Sequence, residues 1–245
     1  MEIVPGVYLV EGMRGANVYL LADEALTLID TGLPRNGRRI LTYITGIARH
    51  PQELKRIILT HSHPDHAGSA AELRSLTGAE VLAHRAEVEV SGDGQTVIRP
   101  RVRTRRIWLR RFFARSPTPV SHLLSDGEVI PCLGGLRVIH TPGHSPGGIC
   151  LYLEPSKVLF VGDLIINHDG RLSRPLPHPD GDPRQLEESL KKLAQLEVEV
   201  CCVAHGKPLV GAAATRIREF AAHPPHGPVL WRLLKYLGRR LGGSK

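Results

Sequence analysis

The chain has 245 residues, 42% of them apolar and 23% charged, the balance of a soluble globular protein able to bury a substantial core. No run approaches the roughly 18 apolar residues that a membrane-spanning helix needs. The start, MEIVPGVYLVEGMRG, lacks the basic head and apolar run of a secretory signal, so a cytoplasmic location is expected.

Alternating apolar residues predict short strands at 7–10 (VYLV), 17–21 (NVYLL) and 25–30 (ALTLID), arranged as a meander. A helical pattern covers 36–48, and the strand RIILT (56–60) then leads into THSHPDH (60–66). Pro64 and Asp65 suit a helix entrance, so a helix is expected from there to Gly78, followed by a strand at 80–84. Strands follow at 136–141, 148–153 and 157–163, then a loop over 167–182, a helix over 182–196, a strand at 198–205 and a helix over 208–222. The two halves share a layout of strands followed by strand–loop–helix units. That predicts two packed sheets with helices outside, in one domain over 1–225.

The net charge of +8 is local. Residues 94–125 hold eight arginines and no acid, and residues 228–245 hold five bases and no acid. In RPRVRTRRIWLRRFFAR, residues Trp108, Leu109, Phe112 and Phe113 would form an apolar stripe on a helix with arginines outward. Residues 94–120 are read as an inserted lid that attracts a small anionic substrate, and residues 226–245 as a basic helix or tail. Other readings stay open: a nucleic-acid contact through 99–115, a helix on an anionic membrane, a homodimer contact, or a solvated basic face.

Cys132, Cys150, Cys201 and Cys202 form no CxxC pair. Adjacent Cys201 and Cys202 would point to opposite faces of one strand, so buried reduced thiols are expected.

The chemistry gathers at strand ends. His61, His63, Asp65 and His66 follow one strand, and His144, Asp163 and His205 each follow another, with glycine or proline accompanying each strand end (Pro64, Gly68, Gly143, Gly162, Gly206). Imidazole with carboxylate suits zinc, and also iron or manganese. His50, His122, His140, His223 and His226 are read instead as surface or hydrogen-bonded residues; His84 is undecided.

LIDTG (28–32), THSHPDH (60–66), TPGHSPGG (141–148), VGD (161–163) and AHG (204–206) stand in the order and spacing of one family. Over roughly residues 3 to 222 the chain resembles the metallo-β-lactamase-fold hydrolases, most closely their glyoxalase-II-like and lactonase-like branches. The resemblance implies an α/β protein, a four-layer αβ/βα sandwich with two divalent metal ions, Zn2+ or else Fe or Mn, at one edge of its sheets. By position, His61, His63 and His144 would hold one metal, Asp65, His66 and His205 the other, and Asp163 would bridge them. Asp30 would orient ligands from behind without touching metal. The activity implied is attack by a metal-bridging hydroxide on an ester-type bond, a thioester or a lactone, with Asp65 handling the proton. Alternatives on the same residues are an RNA or DNA phosphodiesterase and a mononuclear-iron oxidoreductase like the persulfide dioxygenases. Candidate pocket residues are Trp108, Phe112, Ile166, His168 and His178. Ile166 stands where the quorum-sensing lactonases place a tyrosine, and the C-terminal region is shorter than in glutathione-thioester hydrolases.

Overall fold

The computed structural model describes residues 1–99 and 117–223. Trp108, Phe112 and nearly all of the arginine-rich segment, with the basic residues 226–245, lie outside the described residues.

Two main sheets face each other. The N-terminal sheet runs in space Glu2–Val4, Val7–Val10, Val18–Ala22, Leu26–Ile29, Leu54–Leu59, Glu80–His84, His122–Leu124. Its first four strands form an antiparallel meander, and its last four are parallel neighbours. The C-terminal sheet runs Val129–Ile130, Leu136–His140, Ile149–Leu153, Val158–Phe160, Val200–Cys202, Leu209–Val210. It is antiparallel except for the central pair Val158–Phe160 and Val200–Cys202.

Both faces of each sheet are apolar, because side chains alternate along strands and each sheet has a neighbour on both sides. Tyr19, Leu21, Ile29 and Ile58 meet Val138, Leu151, Phe160 and Cys202 in the core between the sheets. Tyr19 and Phe160 touch edge to face, with centroids 5.3 Å apart. Leu20, Leu28, Ile57 and Leu59 point outward onto Ile40 and Ile44 of helix Gly37–Gly46 and Leu73 of helix Ala70–Thr77. On the far side Cys150, Leu159, Cys201 and Val203 pack on Leu186 and Leu190 of helix Pro183–Leu193 and Ile217 of helix Ala213–Ala222. The result is helix, sheet, sheet, helix, as expected for an αβ/βα sandwich. Each fully buried Leu, Ile or Phe contributes about 1.5–3 kcal/mol, so these three cores dominate the stability of the scaffold. All four cysteines are buried and free, with Cys201 and Cys202 on opposite faces of their strand.

Three expectations need correction. The helix predicted from Pro64 to Gly78 is two pieces, Pro64–Ala67 and Ala70–Thr77. Gly68 N–H donates to Gly32 O and Ser69 N–H to the Thr31 hydroxyl, so tertiary bonds replace the helical ones at that point. The expected end holds: Gly78 closes the helix in the left-handed conformation. The predicted strand 198–205 contracts to Val200–Cys202, and the helix expected from 208 starts at Ala213, because Leu209–Val210 pairs back onto that strand. Finally, the stretch after Asp163 is not all loop. Ile166–His168 and Arg171–Ser173 form a hairpin turning on Asp169 and Gly170, both at positive φ, the Asp-Gly signature of a two-residue turn.

The ends of the arginine-rich segment are brought together. Thr96–Ile98 pairs with both Glu89–Val90 and Thr118–Pro119 in a small antiparallel sheet, and Ile98 is buried with the outer core of the N-terminal sheet.

Candidate metal centre

The predicted ligands meet at one edge of the sandwich because the strands that carry them end there. Parallel strands Leu26–Ile29, Leu54–Leu59 and Glu80–His84 deliver Asp30, the 60–66 loop and Glu87 from one sheet. Val158–Phe160 and Val200–Cys202, also parallel, deliver Asp163 and His205 from the other, and the connection after His140 delivers His144. Ile149 N–H donates to Thr60 O at 3.0 Å, tying the two sheets beside the site.

Thr60 and Asp30 set the orientation of the first histidines. Asp30 sits at φ 59, a left-handed conformation that aspartate tolerates better than most residues. Its Oδ1 accepts from Thr60 N–H and its Oδ2 from the Thr60 hydroxyl, each at 2.8 Å. Since that hydroxyl spends its one proton on Asp30, it accepts from His61 Nδ1 at 3.1 Å, which leaves His61 Nε2 as a lone pair facing the site. Asp30 Oδ2 also accepts from His66 Nδ1 at 2.8 Å, so Nε2 of His66 faces inward. A ligating histidine whose other nitrogen is held by a carboxylate has its ring plane and tautomer fixed.

Two groups of ligand atoms result. His61, His63, His144 and Asp163 each offer one atom within 4.8 Å of the others, and so do Asp65, His66 and His205. His63 Nδ1 lies 3.0 Å from His61 Nε2 and 3.0 Å from His144 Nε2. Nitrogens held at about 2.0–2.1 Å around a tetrahedral zinc ion would stand roughly 3.3 Å apart, close to that spacing. Asp163 divides its carboxylate. Its Oδ2 lies 3.3 Å from His144 Nε2, while its Oδ1 lies 3.2 Å from His66 Nε2 and 3.1 Å from His205 Nε2. Asp65 Oδ2 lies 3.4 Å from His205 Nε2.

The donor set fits a metal. Among the described residues, buried His66 Nε2 and Asp163 Oδ1 make no hydrogen bond despite their proximity, an arrangement costly unless a cation satisfies them. Electrostatics agree. Burial, then the neighbouring imidazoles, pushes His61 well below the usual histidine range, and the same causes push His63 down to about 3. Burial also lowers His144, so all three present neutral rings. Burial opposes charge on Asp163 as well, but His66 and His205 hold its carboxyl well below the carboxylate range. On His66 and His205 burial is likewise outweighed: Asp30 and Asp163 raise His66, and Asp163 with Asp65 raises His205 to about 9.

The site opens on one side. His66 is fully buried and Asp163 is 10% exposed, whereas Asp65 and His205 are 33% and 29% exposed. Solvent therefore reaches the cluster past Asp65 and His205.

The other candidates are scattered. His178 joins the cluster, its ring 4.4 Å from that of His63 and 6.4 Å from that of His144. Ile166 is buried at the start of the hairpin, and half-buried His168 ends its first strand, opposite Arg171. His84 is buried, with its ring stacked 4.0 Å from that of half-buried His140.

The His205 loop is braced by residues that no sequence motif marks. Asn17 Nδ2 donates to Val203 O and Gly206 O, Tyr19 OH donates to Val203 O, and Asn167 N–H donates to His205 O. Nothing local singles them out, since their partners are backbone carbonyls far away along the chain.

Residues 12–205 match the metallo-beta-lactamase superfamily. The chain is similar to the probable metallo-hydrolase YflN of Bacillus subtilis, at 31% identity over 218 residues, 80% of this chain and 82% of that protein. It is 37% identical over 186 residues to the acyl-coenzyme A thioesterase MBLAC2 of Gallus gallus, covering 69% of this chain and 63% of that protein. Among solved structures, a metallo-beta-lactamase family protein from Thermus thermophilus superposes with a TM-score of 0.66 at 25% identity, over 91% of this chain and 80% of that one.

Proposed function

The chain belongs to the metallo-β-lactamase superfamily, and on that premise we propose that this metallo-hydrolase cleaves thioesters at a site holding two divalent cations, Zn2+ in the first instance. His61, His63 and His144 would hold one cation, Asp65, His66 and His205 the other, and Asp163 would span both. The observation that carries this reading is the Asp163 carboxylate, with one oxygen toward His144 and the other toward His66 and His205.

Two divalent cations, when bound, supply Lewis acidity that makes water nucleophilic near neutral pH and polarises a carbonyl. The chain does the rest. Asp30 and Thr60 lock the inward tautomers of His66 and His61. Burial would raise Asp65, but the His205 hydrogen bond and His66 lower it, so it is an ionised acceptor at the open side. We assign Asp65 the handling of the proton during turnover. A thioester is preferred because MBLAC2 is named an acyl-coenzyme A thioesterase and because eight arginines without an acid over residues 94–125 suit an anionic substrate. We read His178, beside His63, as a contact for the acyl portion.

The test pairs metal analysis with a substrate panel. Protein purified without added metal is expected to take up two ions per chain, and Asp163→Ala at most one, with hydrolysis lost. An acyl-coenzyme A thioester is expected to turn over faster than a lactone or a phosphodiester. One iron per chain with oxygen consumption would overturn the hydrolytic reading, and cleavage of RNA alone would overturn the substrate.

A further inference from the structure

Glu87 is a buried carboxylate that the chemistry above does not use; it is 2% exposed. It ends a short turn, Arg85–Glu87, just after strand Glu80–His84, and the His84 side chain caps that turn by accepting from Ala86 N–H at 3.3 Å. Its two oxygens go to two different loops. Oε2 accepts from Ser62 N–H at 2.9 Å, and Oε1 accepts from Gly147 N–H at 2.9 Å. Ser62 lies between His61 and His63, and Gly147 lies three residues after His144. The approach at Gly147 is close: a Cβ there would sit 2.8 Å from both the Cγ and the backbone nitrogen of Glu87. That contact excludes any side chain at 147.

We propose that Glu87 is a positioning residue that sets the spacing of His61 and His63 against His144, and so governs the affinity of that one cation site. The two histidine loops come from different sheets, which the Ile149 N–H to Thr60 O bond joins through backbone at one point beside the site. A carboxylate that accepts one peptide N–H from each loop links them through a single rigid group, with charge-assisted hydrogen bonds stronger than neutral ones. The other cation site is braced elsewhere, by Asp30 on His66 and by Asn17 and Asn167 on the His205 loop. Loss of the Glu87 link is therefore selective. In Glu87→Gln one oxygen becomes an NH2 that faces a peptide N–H, donor against donor, while shape and volume are kept.

This inference rests on the two-cation reading, and the experiment separates the two. Metal-free wild type and Glu87→Gln are titrated with Co2+ while the visible absorption bands are followed; His144→Ala and His205→Ala supply the spectrum of each site alone. Wild type should bind two ions. Glu87→Gln should bind about tenfold to a hundredfold more weakly at the three-histidine site, the usual effect of losing a group behind a ligand, with an altered spectrum there and the other site unchanged. Equal weakening at both sites, or none, overturns the role of Glu87 while leaving the two-cation reading intact. A wild type that binds fewer than two ions overturns both. Should Glu87→Gln fail to fold, amide exchange in wild type decides: the Ser62 and Gly147 N–H groups are expected to be protected with and without metal, and rapid exchange of either overturns the link.

Discussion

Asp30 Oδ2 accepts from His66 Nδ1 at 2.8 Å, and this one contact fixes which nitrogen of a fully buried histidine faces the cluster. The same oxygen takes the Thr60 hydroxyl, which in turn holds His61. One carboxylate at a left-handed backbone position therefore orients a histidine from each ligand group.

Asp30→Asn should accordingly weaken metal binding without emptying the core. The amide can accept only through one oxygen, and its NH2 is left facing N–H or O–H donors. Affinity at the Asp65–His66–His205 site is expected to fall roughly 10- to 100-fold. Competition with a chromophoric chelator measures this, and an unchanged chelator titration would remove Asp30 from the metal chemistry.

The two sites should respond differently to pH. In metal-free protein, burial lowers His205, but Asp163 and Asp65 outweigh it and lift the ring to about 9; His63 is held near 3. A cation entering beside His205 at neutral pH must displace a proton, whereas one entering beside His63 meets a bare lone pair. Affinity at the His205 site should climb between about pH 7 and 9 while the His63 site stays level. Stability follows with a definite sign. A histidine raised above its ordinary 6.5 contributes stability that is fully present below that value and lost as pH rises through about 9. The melting temperature of chelator-treated protein should fall across that window, and that of metal-loaded protein should not. A flat metal-free profile would contradict the assignment.

Gly206→Ala should displace His205. Gly206 sits at φ +102, and a Cβ there would lie 1.7 Å from the Asn167 carbonyl oxygen. The left-handed conformation alone costs about 1–3 kcal/mol, and the overlap forces the loop to move. Metal content is expected to drop from two ions to one with a lower melting temperature. Two retained ions would show that the loop relaxes without moving its histidine.

Much of the fold was legible because its periodicity is local. VYLV, RIILT and KVLFVG are apolar runs bounded by turn residues, and their strands stand at or near the expected positions. The helix break at Ser69 was not legible, since the bonds that replace the helical ones come from Thr31, Leu33 and Asn36, more than 30 residues upstream. The hairpin after Asp163 could have been found from the Asp-Gly pair at its turn. His66, His144 and Asp163 stood out as residue types at strand ends, whereas Asp30 was marked only by the family resemblance of LIDTG. Glu87 did not stand out, because a single glutamate after a strand looks the same whether it is solvated or buried between two loops.

The chemical inventory is thus written along the chain: which side chains can hold a cation, on which strand ends they sit, and which faces of the strands are apolar. Those follow from residue type and from periods of two and about 3.6 residues, which are properties of short stretches. The partition of the Asp163 oxygens, the opening past Asp65 and His205, and the use of Glu87 to join two ligand loops came only with the folded molecule. Each depends on how two sheets meet across a shared core, and separations set between sheets leave no trace in the spacing along a chain.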